Sequence, residues 1–183
     1  MIKYDAIFLD RDGTLNFDHG FVQNVDQFKF YDFAIPALKV LSQHGSNFCI
    51  ISNQSGVGRG LIDIYDLHQI NAHIRREFIK NQINLLDIYN CTDHPDKATN
   101  RRKPGTGMFL DAADDHDIEL KRCLMIGDSE RDLIPAHALG MDTMLVLTGN
   151  GHLTMDTIAP SDRPTFVAEN ILEGAKMLVK KFI

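Results

Sequence analysis

Two aspartates separated by one residue follow an apolar run near the start of the chain. Residues 6–9 are Ala-Ile-Phe-Leu, and Asp10, Asp12 and Gly13 lie in the next four positions. Two carboxylates at this spacing repel each other unless a cation neutralises them. A calcium loop would need glycine at the sixth position from the first aspartate, where this chain has Leu15. Magnesium, which binds one or two carboxylates together with phosphate oxygens, fits better, and a simple turn is the plainer alternative.

Two further polar clusters follow apolar runs in the same way. The run at 48–51 leads into Ser-Asn-Gln-Ser-Gly at 52–56, which is either a turn or a loop that could bind a phosphate through its hydroxyl and backbone N–H groups. The run at 123–126 leads into Gly-Asp-Ser-Glu-Arg-Asp at 127–132. The aspartate at 128 could cap a helix as its N-cap, join the metal site of the first cluster, or do both.

The compact cationic cluster is Arg-Arg-Lys-Pro at 101–104. In isolation it would be a solvated turn, but beside acidic clusters it could hold a bound phosphate. The glycines around Arg59 do not form a dinucleotide-binding loop, because Leu61 stands where the third glycine is needed, and the sequence has no P-loop. Among the histidines we single out His19, because Asp18-His19-Gly20 follows the first cluster closely enough to line the same mouth.

The elements that must position these clusters alternate along the chain. Strands are predicted at 6–9, 48–51, 85–89, 123–126 and 143–147, and helices at 34–44, 62–81, 106–117, 130–139 and 168–181. We expect an α/β fold, a Rossmann-like doubly wound three-layer sandwich with a mostly parallel sheet, as one domain over residues 1–183. Residues 149–164 are expected to form a long loop. Ligands of such sheets bind beyond the carboxyl ends of the strands, where the clusters would meet.

Composition excludes several classes of protein. The chain has 44% hydrophobic and 24% charged residues and a net charge of −6, which argues against a general nucleic-acid partner. Its apolar runs are too short for a membrane span or a signal peptide. The three cysteines, Cys49, Cys91 and Cys123, indicate no disulfide framework. We expect a cytoplasmic monomer with no membrane partner.

The order of the motifs resembles the haloacid dehalogenase (HAD) superfamily of phosphotransferases. The matches are D-x-D-G-T from Asp10, a hydroxyl residue at Ser52 after the second strand, Lys103, and G-D-x-x-x-D through Asp128 to Asp132. Within that superfamily, D-H-G-F-V at 18–22, S-N-Q-S-G-V-G-R-G at 52–60 and R-K-P at 102–104 are similar to the heptose-bisphosphate phosphatases. The related histidinol-phosphate phosphatases usually lack D-H-G and the arginine of the second loop. The resemblance implies no large cap domain.

The resemblance implies a reaction and a role for each matched residue. The reaction is removal of the 7-phosphate of D-glycero-D-manno-heptose 1,7-bisphosphate, a step toward nucleotide-activated heptose and lipopolysaccharide core. Asp10 would be the nucleophile that forms an aspartyl-phosphate, Asp12 the general acid and then base, and Ser52 and Lys103 would hold the phosphoryl oxygens. The implied Mg²⁺ ligands are the Asp10 side chain, the Asp12 backbone carbonyl and the Asp128 side chain, with Asp132 as an outer candidate. The implied substrate-binding residues are Asp18, His19, Gly20, Asn53, Gln54, Ser55, Arg59 and Arg102.

Two departures from the resemblance concern a metal and a phosphate contact. The heptose and histidinol enzymes usually carry a zinc loop, C-x-H and later C-x-C-R-K-P. Here Cys91 is followed by Asp93 and His94, and residues 98–101 contain no cysteine, so four zinc ligands are not available and no zinc is expected. Ser129 stands where the heptose enzymes often have lysine.

Other functions remain open at this point. A histidinol-phosphate or other small phosphomonoesterase has the same catalytic motifs, and a non-catalytic module that binds a phosphorylated ligand would have the same scaffold. The anomer preferred at carbon 1 of a heptose substrate is also open.

Overall fold

One parallel sheet of six strands forms the centre of the molecule. The computed structural model describes residues 4–18, 20–43 and 47–182, and the statements below concern these residues. The strands are β1 (Ile7–Leu9), β2 (Phe48–Asn53), β3 (Leu85–Cys91), β4 (Leu124–Gly127), β5 (Asp142–Val146) and β6 (Phe166–Ala168). Their order across the sheet is β3-β2-β1-β4-β5-β6. The predicted doubly wound α/β fold is confirmed.

Helices cover both faces of this sheet. They are α1 (Ala34–Gln43), α2 (Ser55–Gly58), α3 (Ile64–Lys80), α4 (Gly107–His116), α5 (Glu130–Ala138), α6 (Gly151–Thr157) and α7 (Ile171–Phe182). Ile7 and Leu9 pack into one core with α1, α3 and α7, whereas Phe8 packs into a second core with α4 and α5. Because neighbouring strand residues point to opposite faces, continuous apolar strands are needed to fill both cores. None of the described helices is long and apolar enough to span a bilayer.

The region after β5 differs from the sequence-based expectation. Residues 149–164 were expected to form a loop, but they contain α6 and a 3₁₀ turn at Pro160–Asp162. The strand β6 was not predicted, and the last helix begins at Ile171 rather than at 168. Both elements are short, seven residues for α6 and three for β6, so neither shows a repeated apolar spacing. Pairing with β5, in which Met144 lies beside Phe166, decides that β6 is a strand.

The register of the central strands brings the polar clusters to one edge. Leu9 at the end of β1 lies beside Ile50 of β2 and Ile126 of β4, and the Asp10 N–H donates to the Ile126 carbonyl at 2.9 Å. The chain leaves β1 toward β2 on one side and returns to β4 on the other, so β1 lies at the switch point of strand order where ligands bind.

The connections above this edge are small in the described part of the chain. Between β1 and α1, the residues form a loop with a 3₁₀ turn at Val25–Gln27 and bridges from Asn16 to Asp12 and Phe30. Between β2 and β3 the chain forms α2 and α3, and α3 packs against β3 and the 3₁₀ turn. This arrangement agrees with the expected absence of a large cap domain.

Candidate active site

Three buried carboxylates and one buried lysine meet at the switch point. Oxygen atoms of Asp10, Asp128 and Asp132 lie within 4.8 Å of one another. The Lys103 Nζ donates to Asp10 Oδ1 at 2.7 Å, to Asp132 Oδ1 at 2.5 Å and to the Ile51 carbonyl at 2.7 Å. The loop before α4 thus places its lysine between the ends of β1 and β2 and the start of α5.

The charges in this group do not balance. Burial raises the pKa of Asp10 well above its usual range, and the charges of Asp132 and Asp128 raise it further against the opposing Lys103 ammonium. Burial, followed by the charge of Asp132, raises the pKa of Asp128 to about 7. Burial works to lower the pKa of Lys103, but Asp10 and Asp132 outweigh it and the net shift is upward. Hard oxygen ligands with excess negative charge fit a divalent cation such as Mg²⁺.

Asp12 is held by three donors outside this group. Arg11 Nε donates to it at 3.1 Å, Asn16 Nδ2 at 2.9 Å and Gln54 Nε2 at 2.8 Å. Burial works to raise the pKa of Asp12, but the Arg11 guanidinium and the three hydrogen bonds outweigh it, so its pKa lies below the usual range. Arg11 is itself 1% exposed, and this makes the pair a fixed part of the site. Asp12 is therefore an anion at neutral pH.

Two amides, at the last residue of β2 and directly after it, hold other side chains and backbone of this site. Gln54 is buried, and besides Asp12 its Nε2 donates to Ser52 Oγ at 2.7 Å. Asn53 Nδ2 donates to the Lys103 carbonyl at 2.9 Å, and the Lys103 N–H donates to Asn53 Oδ1 at 3.0 Å. Both amides were predicted to bind substrate. The structure shows them binding Asp12, Ser52 and the backbone of Lys103.

A cavity of about 130 Å³ opens onto these groups. The residues that line it are Asp10, Asp12, Asp18, Ser52, Asn53, Lys103, Asp128, Ser129, Arg131, Asp132 and Asn150. Most of these were predicted site residues, but Arg131 and Asn150 were not singled out from the sequence. Arg131 lies three residues after Asp128, inside the G-D-x-x-x-D motif, and this position is the sequence feature that could have identified it.

Arg131, which lines the cavity, belongs to a cationic group with two other arginines. Burial lowers the pKa of the Arg102 guanidinium, and the neighbouring charges of Arg131 and Arg59 lower it further. The structure therefore brings the two predicted arginines together with Arg131. Because like charges repel, a group of three guanidiniums is a site that favours an anion.

The start of α5 corrects one alternative for Asp128. Its N-cap is Ser129, whose Oγ accepts from the Arg131 N–H at 3.2 Å, and Asp132 Oδ2 accepts from the Ser129 N–H at 3.2 Å. This capping box satisfies the helix end without Asp128, so the N-cap interpretation of Asp128 was wrong. The position that heptose enzymes often give to lysine is used here as a cap.

The remaining predicted contacts lie at the outer edge. Asp18 lines the cavity and its Oδ1 accepts from the Gly20 N–H at 2.8 Å. Ser55 begins α2, and the exposed Arg59 is the C-cap of that helix. His19 lies outside the described residues.

The loop after β3 is held together by an aspartate. Asp93 Oδ2 accepts from the Thr99 N–H at 2.7 Å and from Thr99 Oγ1 at 2.6 Å, and Cys91 is a buried free thiol. Across the described ranges, the one group of three or more possible metal-ligating side chains is the acidic trio of Asp10, Asp128 and Asp132. That the loop binds no zinc stays a prediction.

Comparison with known proteins gives the chain a family. A family model described as HAD-hydrolase-like matches residues 100–174. The D-glycero-beta-D-manno-heptose-1,7-bisphosphate 7-phosphatase of Photorhabdus laumondii is 38% identical over 152 residues, which are 79% of this chain and 81% of that protein. The chain belongs to the HAD superfamily, in the family of this phosphatase. It is therefore an enzyme of the phosphatase class, and the resemblance drawn from its motifs is confirmed.

Two more relatives of this HAD phosphatase agree. The enzyme of the same name from Helicobacter pylori is 36% identical over 146 residues, 79% of this chain and 84% of that protein. The crystal structure of the D,D-heptose 1,7-bisphosphate phosphatase from B. bronchiseptica, complexed with magnesium and phosphate, superposes with a TM-score of 0.88 at 33% identity, covering 97% of this chain and 99% of that one.

Proposed function

We propose that this HAD phosphatase removes the 7-phosphate of D-glycero-β-D-manno-heptose 1,7-bisphosphate, with Mg²⁺ and through an aspartyl-phosphate. The β anomer is preferred in this proposal because the curated relatives act on it by name, at 38% and 36% identity. The observation that carries the chemistry is the buried trio of Asp10, Asp128 and Asp132 at the switch point, in which Lys103 donates to Asp10 and Asp132.

Asp10 is the nucleophile in this proposal. Its carboxylate forms a bond to phosphorus while the bond from phosphorus to the sugar oxygen breaks. The hydrogen bond from Lys103 Nζ to Asp10 Oδ1 at 2.7 Å supports this role, because it would orient the carboxylate. The cation, held by the Asp10 and Asp128 side chains and the Asp12 carbonyl, would neutralise charge on the phosphoryl oxygens. Asp132, the outer metal candidate, is bound to Lys103 and keeps that lysine in place.

Asp12 moves the protons. It gives a proton to the leaving sugar oxygen, and later takes one from the water that attacks phosphorus and releases phosphate from Asp10. The enzyme alone holds Asp12 as an anion, because its pKa is lowered. An incoming phosphate dianion has the opposite effect, so we propose that Asp12 takes up its proton when substrate binds.

The remaining residues are proposed to bind the two phosphates and the sugar of the substrate. Ser52 accepts its hydrogen bond from Gln54, so its own hydroxyl hydrogen can be given to a phosphoryl oxygen beside Lys103. Arg59 and Arg102 are proposed to bind the phosphate on carbon 1, now with Arg131, because guanidinium groups bind phosphate bidentately. Asp18, His19 and Gly20 would contact the sugar.

The wider setting is also a proposal. We place this enzyme in the cytoplasm, as a single-domain monomer over residues 1–183 that supplies heptose precursors of lipopolysaccharide. It would have no zinc and no nucleic-acid or membrane partner. The support is the similarity to the named relatives and the net charge of −6.

Phosphate release from a panel of substrates tests the proposal. With added Mg²⁺, the β-heptose bisphosphate should be hydrolysed with a higher kcat/KM than the α anomer or histidinol phosphate. Asp10→Asn should abolish release because it removes the nucleophile. Faster turnover of histidinol phosphate would overturn the substrate assignment. A wild-type enzyme as inactive as Asp10→Asn on every substrate would favour a module that binds without catalysis.

A further inference from the structure

A segment after β5 is tied to the catalytic edge by three side-chain contacts. We call residues 148–154 the strap. Thr148 Oγ1 donates to the Gly13 carbonyl at 2.6 Å, and Thr154 Oγ1 donates to the Asp128 carbonyl at 2.9 Å. Asn150 donates to Asp128 Oδ2 twice, from its backbone N–H at 2.7 Å and from Nδ2 at 3.3 Å. The strap therefore connects the first and the last acidic loop.

Both donors of Asn150 reach the same carboxylate oxygen. Gly13 and Gly149 also lie against this Oδ2, with φ angles of +87° and +54°, and a Cβ on either residue would overlap it. Among the described residues, the side-chain bonds to the Asp128 carboxylate all end on Oδ2. The other oxygen, Oδ1, accepts no hydrogen bond from the described residues, and Asp128 lines the cavity together with Asp10.

The hydrogen bonds from the strap restrict the conformation of Asp128. Asp128 is 2% exposed and Thr154 is 6% exposed, so the backbone carbonyl and the carboxylate of Asp128 are both held in a region with little freedom. Hydrogen bonds to the oxygen that does not bind metal orient a ligand, and removing such partners typically weakens metal binding.

We propose that Asn150 and Thr154 are positioning residues that present Asp128 Oδ1 to the catalytic cation. This inference rests on the proposed function, in which Asp128 is a metal ligand. Asn150 fixes the carboxylate and Thr154 fixes the backbone that carries it. The strap lies in a segment that the sequence pattern alone describes as a loop, so no motif points to it.

Magnesium binding measured by calorimetry tests the strap. The variants are Asn150→Ala, Thr154→Val and the double variant, and the readouts are the Kd for Mg²⁺ and the melting temperature of the metal-free protein. The matched control is Leu153→Ala, because Leu153 is on the same helix but 65% exposed. The double variant should bind Mg²⁺ about tenfold more weakly, and the Mg²⁺ requirement for phosphate release should rise by a similar factor. The control should bind as the wild type does.

The outcomes separate the strap from the proposed function. If the double variant folds and binds Mg²⁺ like the wild type, the positioning role of the strap is overturned. The proposed function would still stand in that case, provided that the wild type binds Mg²⁺ and Asp128→Asn does not. A wild type without Mg²⁺ affinity, or Asp128→Asn with full affinity, overturns both. If the double variant does not fold, Asn150→Ala decides for the side chain, since Asn150 is exposed and this variant removes only the Nδ2 bond; unchanged affinity overturns the positioning role of that side chain.

Discussion

The buried group of Asp10, Asp128, Asp132 and Lys103 carries more negative than positive charge. Lys103 satisfies two of the three carboxylates, and Asp128 receives its hydrogen bonds from the strap. A buried carboxylate without a cation is costly to ionise, which is the physical reason for the raised pKa values of Asp10 and Asp128. The stability of the metal-free enzyme should therefore depend on pH.

We expect metal-free enzyme to lose stability as the pH rises from about 4 to 7. The pKa of Asp128 is about 7 in the folded protein and near 3.8 when unfolded, so the folded state binds the extra proton in this window and loses that advantage as Asp128 ionises. Mg²⁺ at pH 7 should restore the melting temperature. Thermal unfolding in EDTA across this range measures the effect. Asp128→Asn should flatten the dependence, and an unchanged slope in that variant would contradict the assignment to Asp128.

Substitution of two glycines distinguishes the effect of backbone strain from the effect of crowding at Asp128. Gly13 and Gly60 both have positive φ angles, +87° and +69°, but a Cβ at Gly13 would overlap Asp128 whereas a Cβ at Gly60 meets nothing within 4 Å. Gly60→Ala should cost about 1 to 2 kcal/mol from strain alone, and Gly13→Ala should cost about 3 kcal/mol or more. Urea unfolding gives the two values. Gly13→Ala should also weaken Mg²⁺ binding, and equal effects of the two variants would argue against crowding at Asp128.

Among the elements, the loop after β3 positions Lys103, which no strand carries. The strands bring their ends together, but Lys103 arrives from the loop after β3, which Asp93 and Thr99 close and Asn53 ties to β2. In this chain, hydrogen bonds at Asp93 stand in the region where related enzymes usually carry zinc ligands. The loop is therefore expected to keep its shape when chelators are added.

Asp93→Ala should loosen this loop. The loss of two partly exposed hydrogen bonds should cost less than about 1 kcal/mol each in stability, but phosphate release should fall about tenfold because Lys103 is less well placed. Lys97→Ala in the same loop is the control and should change neither quantity. Treatment with EDTA followed by Mg²⁺ should leave the wild type fully active, and a zinc requirement in metal analysis would contradict the expectation.

At the scale of the whole molecule, an acidic protein must attract an anionic substrate. Its net charge is −6, and positive charge is concentrated in the group of Arg59, Arg102 and Arg131, of which Arg131 lines the cavity. Local placement of positive charge decides the interaction, because charges farther away than a Debye length are screened in physiological salt.

Arg131→Ala should raise KM for the heptose bisphosphate about tenfold, since a charge-assisted hydrogen bond to phosphate is worth about 1.5 kcal/mol. The same variant should change KM much less for heptose 7-phosphate, which lacks the second phosphate. Steady-state kinetics with both substrates measure the difference. Arg163→Ala, an exposed arginine outside this group of three arginines, should leave both values unchanged. An equal effect on both substrates would mean that Arg131 acts elsewhere than on the second phosphate.

The sequence was sufficient to predict five of the six strands and the sheet edge at which their polar ends meet. Long apolar runs predict buried parallel strands, and the polar residues that end them must meet at one edge because the strand ends do; Asp10, Ser52 and Asp128 follow from this rule. Lys103 could be singled out only by the order of the motifs, because a lysine next to arginines is not distinctive by itself.

Tertiary structure alone decided the rest. Elements as short as α6 and β6 have too few residues for a periodic pattern, and β6 is a strand because it pairs with β5. Likewise, no pattern in the sequence could bring Asn150 to Asp128 or the amide of Gln54 to Asp12. Hydrogen-bond partners far apart in the chain are set by packing, and packing is a property of the folded whole.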